Sequence, residues 1–142
     1  MELPLRLLVS SVVVGLTLPA IVSGFSALEY AQLSVRVTEG LDAIVHAAQD
    51  FYLAGGGAQT VRVDFGGAVT VHVEYITIGD ARGGPWSATV SYKLTGLSPV
   101  FLLSDPPIPM TSGEGPLRLG PGRHVVRVSY DGNDAVLLEV VG

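Results

Sequence analysis

Residues 41–65, LDAIVHAAQDFYLAGGGAQTVRVDF, change their hydrophobic period half-way along. Up to Ala54 the apolar residues Leu41, Ile44, Ala48 and Phe51 recur at helical spacing, with Val45 and Tyr52 beside them. Asp42, His46, Gln49 and Asp50 take the opposite face, so an amphipathic helix of about four turns is expected, one side covering something apolar. Gly55-Gly56-Gly57 then ends the helix, since glycine tolerates the left-handed conformation after a last turn. From Gln59 the period is two: Val61, Val63 and Phe65 alternate with Arg62 and Asp64, which reads as a half-buried strand.

Downstream the period of two persists. After Gly66-Gly67, Val69, Val71, Val73 and Tyr75 alternate with Thr70, His72 and Glu74, and the two runs read as a hairpin. The phase slips at Tyr75-Ile76, which predicts a bulge or a change of sheet. Ser87–Leu94 and Val100–Leu103 read as strands and Leu117–Leu119 as a short edge strand. Arg123–Tyr130 and Ala135–Val141 form a hairpin around Asp131-Gly132-Asn133-Asp134. The proline-rich stretch SDPPIPMTSGEGP, 104–116, reads as an extended loop that covers a sheet edge, contacts a neighbour or serves as a rigid connector. Six or seven short strands with no helix between them predict an antiparallel sandwich or barrel.

Upstream lies a different segment. Residues 7–28, LLVSSVVVGLTLPAIVSGFSAL, form a run of 22 without a charged side chain. A helix of that length rises about 33 Å, enough for a hydrocarbon core of about 30 Å. Arg6 on the N-terminal flank places Met1 inside and everything after Glu29 outside by the positive-inside tendency. The run is expected to persist as a single-pass anchor. A cleaved secretory signal is the alternative, with Pro19 and the small residues Ser23, Gly24 and Ser26 at its end. Gly15, Ser10, Ser11, Ser23 and Gly24 suit close contact between helices. Between this run and Leu41, Val35, Val37 and Gly40 lower helix propensity, predicting a bend or a loosely continuous helix, with Thr38 as a candidate N-cap.

Composition narrows the function. The 142 residues suit one domain; 48% are hydrophobic and 15% charged, with mean hydropathy +0.48, which excludes intrinsic disorder. A net charge of −5 argues against sequence-independent nucleic-acid binding, and zero cysteines exclude disulfides, thiolate metal sites and a cysteine nucleophile. No G-x-S-x-G elbow occurs, and the glycine runs lack the Lys-Ser/Thr of a phosphate loop. His46, His72 and His124 are scattered over the helix and two strands, and the carboxylates form no acid/base pair. Asp42, His46 and Asp50 share one helix face and read as a solvated polar surface. Asp131, Asn133 and Asp134 could ligate calcium, but a tight turn accounts for them. No catalytic, cofactor-binding or metal residue is therefore assigned, no cofactor is expected, and no small-molecule substrate is evident.

The order of short N-terminal tail, apolar helix, amphipathic extension, glycine break and β-rich head resembles type IV pilin-like proteins, particularly archaeal ones. The most specific local match is AAQDFYLAGGGAQTVRVDFGGAV, Ala47 to Val69, where a helix ending in an aromatic meets a glycine turn and a Thr-Val-x-Val strand. The family's prepilin peptidase signal is not recognisable: Arg6 runs directly into Leu7, and the next carboxylate after Glu2 is Glu29. That departure points to an anchored pilin-like or minor component. The resemblance implies an α+β fold: a long N-terminal hydrophobic and amphipathic helix, then an antiparallel β-sandwich or barrel-like head. Residues 1–28 would be a transmembrane or filament-core helix, 29–57 a helical extension with the glycine break, and 58–142 an extracytoplasmic head. It further implies a non-enzymatic, self-assembling subunit or accessory of a surface filament, held in the membrane through 7–28 and forming a helical homo-oligomer. Leu7, Leu8, Val12, Val13, Gly15, Leu16, Pro19, Ile21, Val22 and Phe25 would carry the contacts. The alternative is a single-pass, membrane-anchored β-sandwich that binds a ligand or an envelope partner.

Overall fold

A computed structural model describes residues 2–67 and 70–141, with side chains described from Gly24 onward. The chain is α+β: one helix, α1 (Glu2–Ala54), leads into a β-rich head. The strands are β1 (Gly57–Asp64), β2 (Val73–Ile78), β3 (Thr89–Leu94), β4 (Val100–Leu103), β5 (Met110–Thr111), β6 (Leu117–Leu119), β7 (Arg123–Tyr130) and β8 (Val136–Val140). They form two four-stranded sheets, ordered β1-β7-β8-β5 and β4-β3-β2-β6.

Helix α1 is continuous through Gly40, so Thr38 lies inside it and caps nothing. Leu33, Val37, Leu41, Ile44 and Ala48, spaced by four or three residues, are buried along one stripe. The stripe thus begins two turns before the segment whose period marks it as amphipathic. At the other end Gly55, with φ of +84°, occupies the left-handed position that follows a helix. Gly56 N–H then bonds back to the Phe51 carbonyl at 3.0 Å, the six-to-one closure of a Schellman motif.

The expected hairpin across Gly66-Gly67 does not form. β1 pairs along its whole length with β7, from Gly57 opposite Tyr130 to Asp64 opposite Arg123, and β2 belongs to the other sheet. β1 ends at Asp64 in one sheet and β2 begins at Val73 in the other, and Ala68 and Val69 between them lie outside the described residues. Alternation told which face of each strand is apolar, but it carries no information about the partner. The bulge falls one residue before the expected slip: the register shifts between Val73 and Tyr75, so Glu74 and Tyr75 are exposed in succession.

The terminal hairpin pairs β7 with β8 as expected. Within the proline-rich stretch, Met110–Thr111 departs from the expected loop and adds β5 in parallel to the edge of β8. Both residues of β5 are buried. Val61, Val63, Val126, Val128 and Leu138 of the first sheet, Ile76, Ile78, Val90 and Leu94 of the second, and the α1 stripe join one core. Each fully buried Val, Leu or Ile contributes about 1.5–3 kcal/mol.

Candidate functional site

The side chains of Leu7, Leu8, Val12, Val13, Gly15, Leu16, Pro19, Ile21 and Val22 lie outside the described residues. Phe25, the remaining assembly candidate, is 57% exposed, and Leu28 and Val35 are exposed with it. Leu28 and Val35, seven apart, share the side of α1 opposite the buried stripe, and Phe25 lies three residues before Leu28, about one turn along the helix. Beyond Phe25, α1 therefore packs one side on β1 and β7, while the opposite side shows the apolar Phe25, Leu28 and Val35 and then the polar Glu39, Asp42, His46 and Asp50. Among the described residues no helix is long and apolar enough to cross a membrane.

Glu29, the first charge after the apolar run, points into the protein. It is 5% exposed, and its carboxylate accepts bonds from the Thr70 amide at 3.3 Å and from the Thr70 hydroxyl. Gln49 also turns inward from the expected polar face. Its Nε2 donates to the Asp105 carbonyl at 2.9 Å, binding the helix to the proline-rich loop. Neither contact has a local sequence signal, since each joins residues more than forty positions apart.

Asp42, His46 and Asp50 are exposed along α1. His72 precedes β2 rather than lying in it and is exposed. His124 is half-buried on β7, its Nε2 2.8 Å from the Gly120 carbonyl and its ring beside Phe65. Among the described residues no group of three or more His, Asp or Glu could hold a metal ion. In the 131–134 turn the Asp131 carboxylate accepts bonds from the Asn133 amide and side chain, and Asp134 pairs with Arg82 at 2.6 Å. Protein donors thus engage both carboxylates. Tyr130, which donates to the Asn133 carbonyl at 2.7 Å, has its phenol raised above the usual tyrosine range by desolvation. The neighbouring Tyr52, Asp131 and Asp134 push in the same direction.

Two apolar depressions flank β4. One of about 210 Å³ lies between Trp86, Thr89, Ser91 and Phe101. The other, of about 270 Å³, lies between Tyr30, Ala31 and Ser34 of α1 and Tyr92, Leu97 and Val100. Both are smaller than the usual small-ligand pocket of about 300–1,000 Å³. Asp80, the charged residue in the first, is occupied: its carboxylate accepts from the amides of Ala81 and Trp86. No protein-family model, no curated protein and no solved structure matches the chain.

Proposed function

We propose that this chain is a non-enzymatic, pilin-like structural subunit or accessory component of a cell-surface filament. It assembles through its N-terminal hydrophobic helix, with the head outside the cell. The observation that carries the reading is the continuity of α1 from Glu2 to Ala54, which couples the uncharged run 7–28 to the head without a hinge. Among the described residues the head covers Glu29 and the stripe beginning at Leu33, while Phe25 and Leu28 stand exposed. In water a bare apolar helix face costs about 25 cal/mol per Å², a penalty removed by burial among sister helices or in lipid. Two four-stranded sheets sharing one core support the finer description of the head as a β-sandwich.

Electron microscopy of the purified full-length protein, transferred from detergent, tests the reading. Helical filaments with residues 1–28 along the axis are the expected result. A monomer under all such conditions, or a mature N-terminus near Phe25 by mass spectrometry, would overturn it.

A further inference from the structure

Exposed sheet edges are normally protected by charge, by cover or by brevity, because unpaired N–H and C=O groups attract other strands. Three of the four edges here follow that rule. β1 carries Arg62 and Asp64 and lies against α1, β5 is two buried residues, and β6 is centred on exposed Arg118. β4 does not. Its sequence is Val100-Phe101-Leu102-Leu103, all four residues are exposed, and Phe101 and Leu103 reach 67% and 69%.

The backbone of the same two residues is also free. Among the described residues β4 pairs with β3 alone, Leu103 opposite Thr89 and Leu102 opposite Val90. Ser104 N–H donates to the Ala88 carbonyl at 2.9 Å in this register. Since bonding alternates along an antiparallel pair, Leu102 and Val100 bond to β3, while Phe101 and Leu103 aim their N–H and C=O outward.

We infer that β4 is a contact strand whose occupant is β4 of a second copy, paired antiparallel about a two-fold axis through Leu102. In that register Phe101 of each copy faces Leu103 of the other, and each such pair exchanges both of its hydrogen bonds. Leu102 meets its own counterpart at a non-bonded position, about 4.5–5.5 Å between Cβ atoms. The match is chemical as well as geometric. No charge opposes a like charge, and apolar side chains cover apolar side chains on both faces, which the charged edges β1 and β6 could not offer. A four-residue strand pair is smaller than the roughly 800 Å² per partner of a standard interface. Its strength therefore depends on copies being crowded on one surface, where the second contact forms at high effective concentration. An isologous contact closes on itself. It joins heads in pairs and is separate from the packing of α1 helices.

The chain has no cysteine, so one introduced thiol reports contact between copies. Oxidising full-length Leu102→Cys protein in detergent is expected to yield disulfide-linked dimer. Leu53→Cys, at a residue 71% exposed near the end of α1, is expected to yield little. Adding Phe101→Lys to the Leu102→Cys protein should cut the dimer yield tenfold or more while leaving the unfolding midpoint in place. Equal yields from the two thiol positions, indifference to Phe101→Lys, or a cross-link to another envelope protein without self-dimer would each refute the pairing. Should Leu102→Cys misfold, sedimentation of the unaltered chain replaces it: paired heads at high concentration, lost in Phe101→Lys, support the contact. A mass insensitive to Phe101→Lys refutes it. Filaments without the cross-link would leave helix-driven assembly standing and remove β4 pairing; the cross-link without filaments would do the reverse.

Discussion

Gly40 and Phe65 are in such close contact that a Cβ on the glycine would lie 2.7 Å from Phe65 Cε1. The Phe65 ring is fully buried, and the same Cβ would also lie 3.4 Å from Val63 Cγ1. A glycine that weakens the helix locally is thereby what lets the end of β1 approach α1.

Gly40→Val is expected to destabilise the head by about 3 kcal/mol, because its larger side chain overpacks the site further and recovers less helix propensity than alanine does. Gly40→Ala gains about 1 kcal/mol of helix propensity against about 1–3 kcal/mol of overpacking, a net loss of about 1 kcal/mol. Denaturant midpoints of the two variants check the order.

Ile44→Ala should cost about 2–5 kcal/mol, because it empties a fully buried position between α1 and the sheets. Val35→Ala, on the bare side of the same helix, should change head stability by about 0.5 kcal/mol or less. If that side is an assembly surface, Val35→Ala weakens oligomers in light scattering while thermal unfolding of the head is unchanged.

Gln49→Ala removes the donor to the Asp105 carbonyl and should cost about 1 kcal/mol. The loss is local. Amide exchange at Ile108, which donates to Ser104 Oγ, and at Met110, which donates to the Ser87 carbonyl, should quicken more than exchange in β7.

Tyr130 makes stability fall at high pH. Its folded pKa is raised above the unfolded value of about 10, so the unfolded chain releases the proton first. The contribution is full below that value and is lost as pH rises through the folded pKa. Tyr130→Phe keeps the ring beside Tyr52, 5.1 Å between centroids, and removes the titration. Denaturation at pH 8 and pH 11 should show a smaller alkaline loss in the variant than in the unaltered protein.

Local patterns were read well wherever one element suffices to explain them. The α1 ending at Gly55, the strand Val100–Leu103, the edge strand Leu117–Leu119 and the β7–β8 hairpin all follow from period and turn chemistry over ten or so residues. The same information misplaced β2, because Gly66-Gly67 suits a hairpin turn and a sheet crossing equally. It also left Gln49 on the polar side and gave no sign that Glu29 is buried, since a polar residue on a helix turns inward only when a distant donor or acceptor awaits it.

Period and composition by themselves determined that an uncharged run over 7–28 and an amphipathic helix ending before Gly55 lead into short strands, because those features are written in neighbouring side chains. Which strands share a sheet, which edge is left uncharged and bare, and why Gly40 sits mid-helix were decided only when the chain closed on itself. Pairing partners and close approaches are relations between residues far apart in sequence, and no local preference encodes them.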